Sequence, residues 1–95
     1  MSPLTRPIEI KMLRHARERL NERAPGVNLR AILEARLEAV LGAVTPGSGR
    51  YAVAGLTPAA LPIVERPRAH GPLFVVTVLR PGSTPASDTR VLTLP

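Results

Sequence analysis

One histidine and two arginines recur at four-residue intervals near the start of the chain, as His15, Arg19 and Arg23. In an α-helix, side chains four residues apart follow one another along one ridge, so this spacing would align an imidazole with two permanent cations. Such a group is suited to phosphate chemistry, because the cations can hold the anion while the imidazole transfers a proton near neutral pH. We therefore predict His15 and Arg19 as catalytic residues, and Arg19 and Arg23 as nucleic-acid-binding residues.

Each of these side chains also has an ordinary structural interpretation. The imidazole of His15 could cap a helix or hydrogen-bond a main-chain carbonyl, and the arginines could pair with Glu18 and Glu22 on the same helix. Arg23 lies at the edge of the apolar stripe of its helix, from which its long side chain could reach over a sheet. The sequence leaves both interpretations open.

The net charge of the chain favours an anionic partner. Twelve arginines and one lysine stand against seven acidic residues, which gives a formal net charge of +6. The planar guanidinium matches phosphate and carboxylate, so the arginine excess indicates RNA or another polyanion as a partner. The competing explanation is a GC-rich coding sequence, which would raise arginine, alanine, proline and glycine together.

Composition also disfavours several classes of site. The chain has no cysteine, and its two histidines are far apart with a single aspartate, so we expect no disulfide, no metal site and no cofactor. Gly47-Ser48-Gly49 lacks the lysine of a phosphate-binding P-loop. Tyr51 and Phe74 are the two aromatic residues, which gives poor support for base stacking on single strands.

The distribution of apolar residues bears on location. No run of about eighteen apolar residues occurs, and charged residues interrupt the start of the chain, where a secretory signal would need an apolar stretch. A chain without cysteine also suits a reducing compartment. We expect a cytoplasmic protein with no membrane contact, whose oligomeric state the sequence leaves open.

The elements that would position the candidate residues begin with a short strand and two helices. The strand is indicated by alternating apolar residues, Ile8, Ile10 and Met12. A first helix is predicted over residues 13–23, because the breaker pair Pro25-Gly26 follows. A second is predicted over residues 29–44, with Asn28 as its N-cap and a helical period of apolar positions.

The second half of the chain predicts strands. Its apolar runs cover residues 50–54, 61–65, 73–79 and 90–94. Residues 74–79 are almost all β-branched or aromatic, so we expect the central strand there. Pro62 predicts an edge or irregular strand for its run, since proline cannot donate to the ladder. Residues 81–88 predict a long loop.

Helices followed by strands indicate an α+β domain. We predict one domain over residues 1–95, with an arm over residues 1–9, a helical part over residues 10–45 and a sheet part over residues 50–95. The two helices should pack on one face of an antiparallel sheet of three to five strands.

The first helix also carries a resemblance to a known family. The pattern His15-Ala16-x-x-Arg19-x-x-x-Arg23, followed by a second helix and a strand with Val75-Val76-Thr77-Val78, resembles a family of small bacterial and phage proteins catalogued as a domain of unknown function (number 4258). The resemblance implies an α+β fold close to that of RelE-like and BrnT-like toxins, small ribonucleases that cleave messenger RNA. Family members often carry a threonine two positions before the histidine, where this chain has Leu13.

Further candidates lie at the ends of predicted strands. Arg50 and Tyr51 open one strand, and Arg80 closes another. Metal-free ribonucleases of the kind implied by the resemblance employ arginine and a tyrosine hydroxyl, so we add Tyr51 to the catalytic candidates and Arg50 and Arg80 to the nucleic-acid-binding ones. The alternative for Tyr51 is half-buried packing with its hydroxyl in water. Residues 66–68 indicate a solvated turn, and His70 a loop residue.

Two functional hypotheses account for these features. The first is a toxin-like RNA-binding protein that cleaves RNA without a metal, paired in the cell with an antitoxin. The second is a non-catalytic phage or bacterial protein that docks on a host protein or a nucleic acid through the same surface, or an accessory or structural phage protein. The absence of a sequence-evident acid or base partner for His15 motivates the second hypothesis.

Overall fold

The computed structural model describes residues 8–95, and within that range the chain forms three helices and five strands. In chain order they are β1 (Ile10–Met12), α1 (Arg14–Arg23), α2 (Leu29–Ala35), α3 (Leu37–Ala43), β2 (Arg50–Ala54), β3 (Leu61–Glu65), β4 (Leu73–Leu79) and β5 (Arg90–Thr93). Residues 1–7 of the predicted arm lie outside the described residues. Residues 8 and 9 of the predicted arm belong to the fold, because Ile8 packs against the core and the Glu9 carbonyl accepts a 2.9 Å hydrogen bond from the Leu73 amide.

The prediction of an antiparallel sheet is wrong, because the sheet is mixed. Its strand order is β1-β4-β3-β2-β5, with β3 antiparallel to both neighbours, β1 parallel to β4 and β5 parallel to β2. Short connections make β2, β3 and β4 an antiparallel meander. The edge strands β1 and β5 are joined to this meander by residues 13–49 and residues 80–89. Each connection brings the chain back to the end of the sheet at which the preceding strand began, so the next strand runs in the same direction and the edge strands can pair in parallel.

The positions of two strands differ from those predicted. β4 is internal but not at the middle of the sheet, and the middle position belongs to β3, for which the sequence predicted an edge or irregular strand. Pro62 is fully buried there and lies opposite Val78 of β4, whereas the pairing of β3 with β2 runs from Glu65 to Ile63. The missing N–H of proline therefore falls beyond the stretch paired with β2, which is why an internal strand tolerates it.

A one-residue bulge in β4 sets which of its side chains are buried. Thr77 pairs with Ile63 and Val75 with Val64, so Val76 is an extra residue without a partner on β3. Leu73, Val75 and Val78 are all fully buried. Positions 75 and 78 would fall on opposite faces of a regular strand, and the bulge restores them to the same face.

The helices pack on one face of this sheet, which we call the helix face. Its core joins the buried helical residues Ala16, Leu29, Leu33 and Val40 to Tyr51, Val53, Val64, Leu73, Val75 and Val78 of the sheet. Ala52 and Ile63 are buried outside this cluster and point away from it, since neighbouring strand residues alternate in direction. They define the second face of the sheet.

The described part of the chain contains three helices, where two were predicted. The predicted helix over residues 29–44 is interrupted at Arg36, whose backbone has φ −116° and ψ 21°. The guanidinium of Arg36 donates a 3.0 Å hydrogen bond to the carbonyl of Pro95, near the end of the sheet segment. Asn28 caps α2 as predicted, its side-chain oxygen accepting from the Ala31 amide at 3.1 Å. The break thus coincides with a long-range contact that no local pattern signals.

Candidate functional site

Hydrogen bonds join both ends of helix α1 to β4. At its start the Leu13 amide, in the N-cap position, donates to the Val75 carbonyl at 3.1 Å, so the helix begins one residue later than predicted. At its end the Arg23 guanidinium donates to the Val78 carbonyl at 2.8 Å. Between them Ala16 is fully buried against the sheet. These contacts fix the orientation of α1 about its own axis, so that Ala16 faces the sheet and His15 faces solvent.

The three ridge residues all lie in α1, but their environments differ. His15 is exposed and has no hydrogen bond or ion pair among residues 8–95. Arg19 is half-exposed, and its Nη1 lies 2.7 Å from Oε1 of Glu22. Arg23 is committed to Val78 within the fold. Of the two predicted phosphate-binding arginines, Arg19 is the one whose guanidinium reaches solvent in an ion pair that a stronger anion can displace.

The ring of Tyr51 is buried in the helix-face core with 6% of the residue exposed. Its hydroxyl accepts hydrogen bonds from the Thr45 amide at 3.4 Å and from Nη1 of Arg90 at 3.3 Å. The Arg90 guanidinium also lies 5.8 Å from the ring centroid. Hydrogen bonding by Thr45 above all, with smaller contributions from Arg90 and Ser48, holds the pKa of Tyr51 below its ordinary value, although burial acts in the opposite direction.

The structure does not join Tyr51 to the His15 ridge. Tyr51 pairs with Val64, and Val64 pairs with Val75, so two strand spacings (about 10 Å) separate the backbone of Tyr51 from that of β4 beneath α1. The hydrogen-bond partners of Tyr51 lie in the segment after α3 and in β5. The catalytic candidates therefore form two separate groups.

Arg50 and Arg80 do not share a site either. Arg50 begins β2 and Arg80 follows the end of β4. Because β2 and β4 are each antiparallel to β3, they run the same way, and the two arginines lie at opposite ends of the sheet. Arg50 pairs with Glu65 across the strands at 3.6 Å, and Arg80 is exposed.

Sequence reasoning missed how many arginines stabilise the fold itself. Within residues 8–95, four guanidinium groups donate to main-chain carbonyls, those of Arg23 to Val78, Arg30 to Ile10, Arg36 to Pro95 and Arg66 to Leu41, Val44 and Ala69. The interpretation of residues 66–68 as a solvated turn is thus wrong for Arg66, which is half-buried. A planar fork of donors suits such contacts, because one side chain can satisfy several carbonyls. Part of the arginine excess is therefore structural.

Among residues 8–95, Lys11, Arg17, Arg68 and Arg80 are exposed basic residues for which no hydrogen bond or ion pair is found. Arg17 lines a groove of about 380 Å³ between α1 and α2, together with Asn21 and Asn28. Arg68 lines a recess formed by the β3–β4 loop. Within residues 8–95, these cations and the surface ion pairs of Arg14, Arg19 and Arg50 supply positive charge that an external anion can reach.

In the part of the chain that the structure describes, no group of three or more His, Cys, Asp or Glu side chains is arranged to hold a metal ion. The helices of residues 8–95 are all too short or too polar to cross a membrane. The chain matches no family model, and neither a curated protein nor a solved structure is significantly similar to it. The likeness of α1 to a toxin-related family stays a prediction from its sequence pattern.

Proposed function

We propose that the protein binds RNA through the solvent side of α1 and cleaves it as a small toxin-like ribonuclease. The observation that carries this proposal is the double attachment of α1 to β4 through Leu13 and Arg23, which holds His15 and Arg19 outward on one rigid ridge. A site on a rigid helix can position a phosphate group accurately. The formal charge of +6 favours the encounter with a polyanion.

In this proposal Arg19 binds the phosphate and His15 moves the proton. The imidazole removes the proton of a ribose 2′-hydroxyl while that oxygen attacks the adjacent phosphorus, and the bond to the 5′ oxygen breaks. The departing 5′ oxygen lies on the far side of the phosphorus and takes its proton from water, so a cyclic phosphate and a 5′-hydroxyl are formed, and the imidazolium returns its proton to the solvent. The Arg19 guanidinium, released from Glu22, stabilises the charge that builds up on the phosphate oxygens.

A second candidate function is a non-catalytic protein that docks on a host protein or nucleic acid through the same surface. It is favoured by the surroundings of His15, which makes no hydrogen bond or ion pair to an acid or base among residues 8–95, and by the separation of Tyr51 from the ridge. An antitoxin would be the natural partner in the first case and a host protein in the second.

The test is the salt dependence of binding to single-stranded RNA. Each phosphate contact adds about −0.7 to the slope of log affinity against log salt concentration, so Arg19→Gln should flatten the slope by roughly that amount. Arg17→Gln is the matched control, because Arg17 lies on the same helix about 200° away and loses the same charge. Equal effects of both variants, or affinity independent of salt, would refute a specific contact at Arg19.

A further inference from the structure

The connection between β3 and β4, residues 66–72, forms a recess on the second face of the sheet. The recess has a volume of about 360 Å³ and is lined by Pro67, Arg68, Gly71, Pro72 and Phe74. Phe74 forms its floor on β4, on the face opposite α1, since its neighbours Leu73 and Val75 point into the helix-face core. The volume lies at the lower end of the range for small-molecule sites and suits a single flat ring with its substituents.

The wall of this recess is held in place by Arg66. Nη1 of Arg66 donates to the carbonyls of Leu41 at 2.9 Å and Val44 at 3.3 Å, and Nη2 donates to Ala69 within the connection at 3.1 Å. The Arg66 carbonyl in turn accepts from the Gly47 amide at 2.8 Å. Pro67 and Pro72 restrict the backbone further. The recess is therefore preformed, and little ordering would accompany binding.

The chemistry of the lining combines a flat apolar surface with positive charge. Two proline rings and the half-buried Phe74 offer faces for a planar group, and the exposed Arg68 stands at the rim. A Cβ added to Gly71 would lie 3.4 Å from Cβ of Arg68, at van der Waals contact, so the Arg68 stem packs closely against the backbone of Gly71.

The strands on either side of Phe74 add to this charge pattern. Lys11 of β1 is the register partner of Phe74 on one side and is exposed. Glu65 is its partner on the other side, but this carboxylate is engaged by Arg50 at 3.6 Å. The net charge around the aromatic floor is positive, which selects a planar ligand that carries an anion.

From these contacts we infer that the recess binds one unpaired nucleotide of a single-stranded RNA. The base stacks on Phe74 between the proline rings, and Arg68 and Lys11 hold its phosphate. The choice of RNA as the ligand rests on the proposed function, whereas the recess itself lies on the other face of β4 from the ridge. An aromatic side chain of an acidic peptide is the competing occupant. The nucleotide is favoured because its ring and its phosphate are joined in one compact unit that matches the neighbouring cations.

The experiment follows the backbone amide signals of Gly71 and Phe74 by NMR in the full chain. Adenosine 5′-monophosphate and then a short single-stranded RNA are added, and both should move these signals. Phe74→Leu should weaken RNA binding by roughly 5- to 100-fold, the loss expected for one base–aromatic stack, whereas Phe74→Tyr should retain it. Arg68→Gln should weaken binding and flatten the salt slope by about 0.7, and Arg17→Gln should do neither at this site.

Several outcomes would overturn the inference. These are unmoved Gly71 and Phe74 signals, a folded Phe74→Leu variant that binds RNA as tightly as the parent, or an acidic aromatic peptide that occupies the recess more tightly than RNA. Thermal unfolding of each variant establishes that it is folded. If the proposed RNA contact at Arg19 on α1 is wrong but the recess does bind RNA, Arg19→Gln would leave RNA affinity intact while Phe74→Leu would still reduce it.

Discussion

The guanidinium of Arg23 and the carbonyl of Val78 are joined by a 2.8 Å hydrogen bond across 55 residues of sequence. This contact ties the last turn of α1 to the end of β4 and leaves Arg23 half-buried. Arg23, which the four-residue spacing predicts as a phosphate ligand, therefore makes a structural hydrogen bond between the helix and the sheet. Substitution of Arg23 should therefore lower the free energy of unfolding, whereas substitution of Arg19 should weaken RNA binding.

Removal of the Arg23 contact is expected to destabilise the protein. Arg23→Met keeps an apolar stem of similar length but leaves the carbonyl of the buried Val78 without its charged donor, so the free energy of unfolding should fall by about 1–3 kcal/mol. Arg17→Met, at an exposed position of the same helix, should stay within about 0.5 kcal/mol of the parent. Urea denaturation measures both values, and equal stability of the two variants would contradict the role given to Arg23.

Carboxylates placed two positions apart on β4 should differ sharply in effect. Val78→Asp buries an unpaired charge at a position with 0% exposure, which costs several kcal/mol against a total stability of about 5–15 kcal/mol, and the domain should unfold. Val76→Asp places the same group at the half-exposed bulge position and should melt cooperatively at a modestly lower temperature. Thermal circular dichroism distinguishes them, and a cooperative melt of Val78→Asp would argue against the burial of Val78 in the core.

The single tyrosine should ionise below its ordinary range. Because hydrogen bonds lower the pKa of Tyr51 from 10.0 in the folded state, phenolate absorbance should rise at lower pH in the native protein than after denaturation. Folding stability from this group is therefore gained as pH rises from the lowered pKa towards 10.0, and is lost as pH falls back through the lowered value.

Arg90→Gln provides the matched control for this titration. Loss of the guanidinium that donates to the Tyr51 hydroxyl should move phenolate formation to higher pH, but only in part, because Thr45 makes the larger contribution. A native titration that coincides with that of the denatured chain would show that the hydroxyl is free of these hydrogen bonds.

The proposed cleavage depends on His15. His15→Ala should lower the rate of RNA cleavage by roughly two to four orders of magnitude with little change in RNA affinity, because acid–base assistance acts mainly in the transition state. Cleavage by the parent should proceed in excess chelator, and DNA of the same sequence should survive because it lacks the attacking 2′-hydroxyl. A purified protein that cleaves no RNA, with or without ribosomes, would support the non-catalytic alternative.

Local sequence patterns predicted the elements well. The breaker pair Pro25-Gly26 and the capping residue Asn28 marked helix boundaries, and short apolar runs located the strands of the second half of the chain. These signals act over a few residues, through backbone conformation and side-chain periodicity, so they can be recognised without knowledge of the partners. The α+β class and the placement of His15 on a helix followed from them.

The partners across the fold were decided only by the tertiary structure. The central position of β3, the parallel edge strands and the bulge at Val76 depend on pairings between distant segments, which leave no periodic signature in either segment alone. The same holds for Arg66, whose neighbours in sequence suggest a solvated turn while its guanidinium bonds to carbonyls near α3. The sequence by itself determined which segments are helix or strand, because local backbone energetics suffice for that choice. Which arginines stabilise the fold, and which face outward for a ligand, was determined only when packing brought each guanidinium to a carbonyl or left it in solvent.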